Sequence, residues 1–195
     1  MKEWKILLLA LVAASLSAYA GFRISSTRVQ ATPAGETTDP VPLEMIAVAM
    51  DEIRIKDLEG REHSLSEWAG KILVVNFWAT WCPPCVVEIP AFMELQSDLG
   101  TRGLQFVGIA LDDPAAAAKF TTERAINYPI LAGDEEVARL MQGLGNAIGA
   151  LPFTVVFDRA GHIVHTQQGE WKLTEARRIL ESLVDPLPGN QQVTR

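Results

Sequence analysis

Cysteine is scarce in this sequence of 195 residues, which has only Cys82 and Cys85. Two cysteines are too few for a domain held by several disulfides, and they supply half of the ligands of a four-cysteine zinc site. Histidine is scarce too, and His162 and His165 are three apart on a predicted strand, which places them on opposite faces. We therefore expect the two cysteines to act as a pair and not as metal ligands.

The sequence also has no run of basic residues. It has 17 Lys and Arg against 24 Asp and Glu, a formal net charge of −7, which argues against a nucleic-acid-binding surface. The composition, 48% hydrophobic and 21% charged, excludes a disordered chain and a polytopic membrane protein. It is sufficient for one well-packed domain, and no internal repeat is visible.

One long apolar run does occur, and it lies at the N-terminus. Residues 6–22 carry no charge and follow Lys2 and Lys5, which is the pattern of an export signal. This length is at the short end of what can cross a bilayer. Because Lys2 and Lys5 would hold the N-terminus on the cytoplasmic side, we expect residues 1–22 to be a signal-anchor. Cleavage after Ala20 is the alternative. Either outcome places the rest of the chain in the periplasm or at the outer face of the cell envelope.

Composition divides the remainder into a linker, a domain and a tail. Residues 23–44 are rich in Ser, Thr, Pro, Ala and Gly without a sustained period, which predicts a flexible linker. Residues 45–187 carry the periodic patterns of strands and helices. Residues 188–195 follow Pro186, where we expect regular structure to end, and form a tail.

Continuous apolar runs alternate with helical patterns inside the domain. Residues 72–77 and 104–110 are apolar and β-branched, as in central strands that are covered on both faces. From residue 85 to residue 99 apolar residues recur at helical spacing, and Gly100 ends the helix. Together the elements predict an α/β fold with one mixed sheet and helices on both faces. The other predicted elements are strands at residues 53–55, 61–63, 128–131, 154–157 and 162–165, and helices after Ser64, Asp113 and Asp134 and over residues 173–183.

The two cysteines lie where a buried strand turns into a helix, in the sequence Trp81-Cys82-Pro83-Pro84-Cys85. This spacing at a helix start brings the sulfurs within disulfide distance, and the helix N-terminus stabilises a thiolate on Cys82. Cys82 is therefore the predicted nucleophile. Pro83 and Pro84 suit a first helical turn but provide no N–H. We therefore expect a smaller depression of the Cys82 pKa, and a less oxidising pair, than in turns with more donors.

Spacing alone also fits two other uses of such a pair. A zinc site would need two further ligands, which the three histidines do not offer at suitable spacing. A purely structural disulfide that closes so small a ring would stabilise the fold little. Both uses are therefore weaker explanations than redox chemistry.

The residues around the cysteines resemble a known family. Residues 77–85, with Pro90 in the helix, look like the active-site turn and kinked helix of the thioredoxin fold. Asn76, Glu88 and residues 149–154 bring the likeness closer to the membrane-anchored TlpA/ResA-like thiol–disulfide oxidoreductases. The resemblance is specific at these motifs and diffuse elsewhere.

The resemblance covers about residues 45–185 and implies a thioredoxin-like fold with an extra helix and strand at about residues 115–131. It makes Cys82 the attacking thiol and Cys85 the resolving thiol. No cofactor is implied beyond the redox-active disulfide that these two cysteines form.

Three further site residues follow from the resemblance. Pro152 is expected to be a cis-proline that faces the pair and turns the backbone of Leu151 outward, so that a client protein pairs with it as an extra strand. Glu88, one helical turn after Cys85, is expected to exchange protons with that thiol. The alternative for Glu88 is a solvated surface carboxylate, favoured by the helix dipole alone.

Aromatic residues and prolines complete the expected client-binding surface. Trp81 is expected to be a partly exposed lid over the sulfurs, and Trp78 to belong to the core. Pro83 and Pro84 are expected to contact the client. Phe153 stands where the family often has a smaller polar residue, and we expect it to narrow the client groove.

The resemblance implies an exported thiol–disulfide oxidoreductase that acts mainly as a reductant. A membrane thiol-electron transporter would supply its electrons, and exported cysteine-containing proteins would be its clients, with apocytochrome c the best-known class. A net oxidant of secreted proteins is one alternative, although the histidine that would favour it is absent between the cysteines. A non-catalytic soft-metal-binding module using the same thiols is another.

Overall fold

A computed structural model describes residues 54–185 of the chain. The predicted signal-anchor of residues 1–22, the linker of residues 23–44 and the tail of residues 188–195 lie outside the described residues. Among the helices of residues 54–185, none has the length and apolar character needed to cross a membrane.

Seven strands form one mixed sheet. They are β1 (Ile55–Asp57), β2 (Glu62–His63), β3 (Ile72–Trp78), β4 (Leu104–Leu111), β5 (Ile130–Gly133), β6 (Phe153–Phe157) and β7 (Ile163–Gln168). Their order across the sheet is β2-β1-β5-β4-β3-β6-β7. The β3–β4 and β4–β5 pairs are parallel, whereas β6, β7, β1 and β2 join antiparallel.

Four α-helices accompany the sheet. They are α1 (Pro83–Leu99), α2 (Pro114–Arg124), α3 (Glu135–Gly143) and α4 (Leu173–Val184). Short 3-10 turns cover Leu65–Trp68 and Gly100–Arg102. Every residue of β3 is buried, which confirms the prediction of a central strand from its apolar run. β3 lies between β4 and β6 in the sheet, and α1 is the next element after it in the chain.

The side chains of β3 alternate between two cores. Val74 and Trp78 pack with residues of α1, α2 and α4, whereas Val75 and Phe77 pack with residues of α3. This period of two lets one strand bury apolar side chains on both faces. Helices therefore cover both sides of the sheet, which confirms the predicted fold class. The extra helix and strand expected at about residues 115–131 are α2 and β5.

Several strands differ in their bounds from the prediction, and for β5 and β1 the strand pairing gives the reason. β5, predicted at residues 128–131, begins at Ile130, because Pro129 has no N–H to donate to the strand ladder. β1, predicted at residues 53–55, extends to Asp57, because its last residues pair with β5. Both differences come from the ladder and not from local hydrophobicity.

Of the two aspartates predicted to begin helices α2 and α3, one makes the expected capping hydrogen bond. The Asp113 carboxylate accepts the Ala116 N–H at 3.0 Å, as expected of an N-cap. Asp134 occupies the same position in α3, but its side chain makes no capping bond within the described residues. His162 lies just before β7 and not on the strand.

Candidate active site

Cys82 and Cys85 form a disulfide where the chain passes from β3 into α1. Cys82 is the N-cap residue of α1, and Pro83 and Pro84 take the first two helical positions. Cys82 is 5% exposed and Cys85 is fully buried. Of the two sulfurs, a partner protein can therefore approach that of Cys82 more readily, which supports its predicted role as the attacking thiol.

The start of α1 offers few hydrogen-bond donors to Cys82. A side chain at an N-cap accepts from the N–H of the second or third helical residue. The second residue is Pro84, which has no N–H, so only the third, Cys85, can donate. The Val86 N–H already donates to the Cys82 carbonyl at 3.2 Å. A Cys82 thiolate therefore has the helix dipole but at most one backbone donor.

The segment before the cysteines is fixed by Asp112, which follows β4. The backbone N–H and the hydroxyl of Thr80 both donate to Asp112 Oδ2, at 2.8 and 2.6 Å. The Cys82 N–H donates to the Ala79 carbonyl at 3.2 Å. Asp112 was not among the predicted site residues, although the parallel pairing of β3 and β4 brings the ends of these strands together at the edge where α/β sites form.

Glu88 lies on α1 one turn after Cys85 and is only 2% exposed. Its Oε1 accepts from Asn76 Nδ2 and its Oε2 from the backbone N–H of Trp171, each at 2.9 Å. The alternative of a solvated surface carboxylate is therefore wrong. Burial raises the pKa of Glu88 to about 7 and outweighs the two hydrogen bonds, which lower it, while the charge of Glu170 adds to the rise.

Asn76 connects Glu88 to the neighbouring strand. Its Nδ2 also donates to Thr154 Oγ1 at 3.0 Å, and both side chains are buried. The network thus joins β3, α1 and β6. The asparagine inside the apolar run of β3 was the sequence signal for this network, but the pattern gave no sign that Thr154 and the Trp171 backbone belong to it.

The segment before β6 has the predicted backbone geometry. The peptide bond between Leu151 and Pro152 is cis, as the resemblance implied. Pro152 is buried and Leu151 is half-buried. The contact of these residues with a client stays a prediction.

The aromatic residues divide between surface and core. Trp81 is 64% exposed next to Cys82, whereas Trp78 is buried, and both agree with the prediction. Pro83 and Pro84 are exposed beside the disulfide.

Phe153 is a correction to the predicted client-binding surface. It is 3% exposed, and its ring stacks on Phe77 with 5.9 Å between centroids, in the core below α3. Because side chains alternate along β6, Phe153 points to the opposite face from Thr154. Its ring therefore does not narrow a groove beside the disulfide.

Residues 46–166 match the AhpC/TSA family. Among curated relatives, the thiol–disulfide oxidoreductase ResA of Geobacillus thermodenitrificans is 30% identical over 179 residues, which cover 91% of this chain and 92% of the relative. ResA of Geobacillus kaustophilus is 29% identical over 66% of this chain and 72% of its own length.

Solved structures of similar proteins include a thiol:disulfide interchange protein and a DsbF homologue. A thiol:disulfide interchange protein of the thioredoxin family from Chlorobium tepidum is 29% identical, with a TM-score of 0.61 over 68% of this chain and 92% of that one. A DsbF homologue from Corynebacterium diphtheriae is 26% identical, with a TM-score of 0.59 over 67% of this chain and 83% of that one. With a family match over more than half of its length and a relative aligned over nearly all of it, this chain belongs to the AhpC/TSA family and is a thioredoxin-fold thiol–disulfide oxidoreductase.

Proposed function

We propose that this oxidoreductase is exported and acts as a reductant of disulfides in extracytoplasmic proteins. The observation that carries the proposal is a Cys82 with few donors at the helix start, combined with a buried Glu88 one turn beyond Cys85. The first favours a pair that gives up electrons, and the second provides a group that accepts a proton in the resolving step.

The reaction begins with the reduced pair. The Cys82 thiolate attacks one sulfur of a client disulfide, which forms a mixed disulfide and releases the first client thiolate to take a proton from water. Glu88, as carboxylate, accepts the proton of Cys85, and the Cys85 thiolate then attacks the Cys82 sulfur. The second client thiolate leaves and is protonated. The client gains two electrons, and Cys82 and Cys85 are left as a disulfide.

The direction of transfer follows from thiolate stability. A pair is strongly oxidising when its reduced form, with the thiolate, is strongly stabilised. Pro84 removes the backbone donor at the second helical position, which would otherwise stabilise the Cys82 thiolate. We therefore expect a low reduction potential, so that a membrane thiol-electron transporter must supply electrons to restore the dithiol.

Export rests on the sequence of residues 6–22, whose apolar run and basic flank would place the domain outside the cytoplasmic membrane as a signal-anchor. The proposed clients are exported proteins with cysteine pairs, with apocytochrome c as the leading class. Exposed Trp81 beside Cys82 would provide an apolar contact for them.

Thiol trapping in intact cells tests both export and direction. Cys82 and Cys85 are the only cysteines, so a membrane-impermeant maleimide that labels the protein reports on them alone. The proposal predicts that the full-length protein is labelled from outside, in the reduced state, mainly at Cys82, because Cys85 is fully buried. Cys82→Ser should therefore lose this label, whereas Cys85→Ser should keep it. Labelling only after lysis would contradict export. A steady-state disulfide in cells would indicate a net oxidant instead.

A further inference from the structure

The side-chain amide of Asn76 has hydrogen-bond partners at its nitrogen but, among the residues that the structure describes, none at its oxygen. Nδ2 donates to Glu88 Oε1 and to Thr154 Oγ1, so both of its N–H groups are occupied. Oδ1 is buried and has no hydrogen-bond partner within residues 54–185. A buried amide oxygen without a donor is unfavourable and calls for a physical explanation.

The arrangement suits only one protonation state of Glu88. A carboxylate accepts hydrogen bonds at both oxygens, and here Asn76 and the Trp171 backbone provide them. A protonated carboxyl must also donate one. The Trp171 N–H can only donate, so Oε2 remains the acceptor and the proton belongs on Oε1. There it would meet an N–H of Asn76, and two donors would face each other.

Rotation of the Asn76 amide by about 180° removes this conflict. Oδ1 then faces Glu88 Oε1 and Thr154 Oγ1 and accepts the O–H of each. The amide makes two hydrogen bonds in either orientation, so the protonation of Glu88 decides between them. The oxygen that lacks a partner beside the carboxylate has two donors beside the acid, and the NH2 group then takes the position without a partner in the described residues.

We propose that the Asn76 side-chain amide rotates by about 180° when Glu88 gains or loses its proton, and that Asn76 and Thr154 are positioning residues for that proton. This inference rests on the proton-transfer role of Glu88 given above. It explains how a buried carboxyl can take up and return the Cys85 proton while its hydrogen bonds at Oε1 and Oε2 are kept in both forms.

The other titratable groups around Glu88 lie on several elements. In addition to burial, the charge of Glu170, before α4, raises the pKa of Glu88, and burial and then the charge of Glu88 raise the pKa of Tyr128, before β5. His165 on β7 stacks on the Trp171 ring with 5.0 Å between centroids, and the cysteine pair begins α1. None of these side chains hydrogen-bonds to Glu88 in the described part of the chain. Within residues 54–185, Asn76 is the residue whose side chain hydrogen-bonds to Glu88.

Nuclear magnetic resonance of the oxidised full-length protein tests the inference without any substitution. The Glu88 side-chain carbon reports its titration between about pH 5 and pH 9, and the Asn76 side-chain amide is followed in the same samples. We expect an Overhauser contact from the Asn76 Nδ2 protons to the Thr154 side chain above the Glu88 transition and its loss below, with the same midpoint. An amide contact that persists unchanged through the Glu88 titration would overturn the proposal.

Glu88→Gln fixes the neutral state and is the first variant to compare. Its amide oxygen can accept from Trp171, and its amide nitrogen can donate to Asn76 Oδ1. We expect the Asn76 amide of this variant to keep the low-pH pattern of the wild type at every pH. The high-pH pattern in Glu88→Gln would contradict the proposal.

The Asn76→Leu variant distinguishes a positioning role of Asn76 from a purely structural one. It removes the donor to the carboxylate and the acceptor for the acid, and the bond to the charged form is the stronger of the two. The pKa of Glu88 should therefore rise by about 1 unit, and the pH profile of thiol–disulfide exchange should shift with it. Thr154→Val should give a smaller rise, and Thr166→Val, at an exposed site on β7, should give none. Lower stability with an unshifted Glu88 titration would mean that Asn76 is merely structural.

These readouts are independent of client and direction. If the protein proves to be an oxidant, the proposed function fails while the amide measurement still stands. If the Overhauser contact of the Asn76 amide does not change as Glu88 titrates, the amide proposal fails whatever the direction of electron transfer.

Discussion

Glu88 accepts a hydrogen bond from the backbone N–H of Trp171, which is 83 positions away in sequence. The bond joins α1, which carries the cysteines, to the segment that leads into α4. Only a proline would remove a backbone donor, so one oxygen of the carboxyl is held by any other residue at position 171. The other oxygen depends on Asn76, and it is the one that substitutions can affect.

The folded protein should lose stability as the pH rises from about 4.5 to about 7. Burial raises the pKa of Glu88 from 4.5 to about 7, so between these values the folded state binds more protons than the unfolded state. The free energy of unfolding then falls with pH, by up to about 3 kcal/mol from this group. Denaturant unfolding at pH 4.5 and pH 8 measures the change.

Glu88→Gln should remove most of that pH dependence, because it cannot ionise. Glu123→Gln, which changes an exposed carboxylate on α2, is the control and should retain it. Equal slopes of unfolding free energy against pH in the wild type and in Glu88→Gln would show that Glu88 ionises normally in the fold.

Pro84→Ala should make the pair more oxidising. The substitution restores an N–H at the second helical position, where it can donate to the Cys82 thiolate. A hydrogen bond to a charged group should lower the Cys82 pKa by about 1 unit and raise the reduction potential by up to about 30 mV. Alkylation rates against pH and equilibrium with redox buffers measure the two quantities.

Pro83→Ala is the matched control for that experiment. It restores an N–H at the first helical position, which an N-cap side chain does not use. Its Cys82 pKa should stay close to that of the wild type. Equal shifts in both variants would mean that loss of proline rigidity, and not the donor, sets the pKa.

Asp112→Ala should weaken the active-site turn. It removes the acceptor of two hydrogen bonds from Thr80, which should cost about 1–3 kcal/mol of unfolding free energy and slow the reaction of Cys82 with a model disulfide. Asp113→Ala removes only the cap of α2. It should cost about 1 kcal/mol and leave the exchange rate unchanged, and a slower rate in both variants would refute a specific role for Asp112.

His63 should stabilise the fold at low pH. Its ring nitrogens lie 2.7 Å from Glu67 Oε2 and 3.0 Å from Asp57 Oδ2, and hydrogen bonds to Glu67 and then Asp57 raise the pKa of His63. The stabilisation is complete below about pH 6.5 and is lost as the pH rises through the raised value. His63→Gln should therefore destabilise the protein more at pH 6 than at pH 9. The same loss at both values would mean that His63 contributes by packing on Trp68 alone.

The parts of the structure that were predictable from sequence are those that local pattern determines. The buried run of β3, the cysteine pair at the helix start and the helix after Asp134 all follow from periodicity and helix-start chemistry. The resemblance added the cis peptide at Pro152. In each case the deciding residues are neighbours in the chain.

The missed features depend on residues that are far apart. Phe153 was assigned to the client groove because its position next to Pro152 was known but its face was not. Burial of that ring against Phe77 is decided by the register of β6 on β3. Asp112 and the Trp171 backbone reach the site through strand order and the docking of the chain before α4, which no local pattern encodes.

The equilibrium reduction potential of the Cys82/Cys85 pair tests the central claim most directly. It is measured in the full-length protein against redox buffers, with Cys82→Ser as the control that forms no intramolecular disulfide. We predict a value near or below about −250 mV, as for a thioredoxin-like reductant. A value near about −120 mV would identify an oxidant and would contradict the inference that the proline at the second helical position, Pro84, leaves the thiolate poorly stabilised.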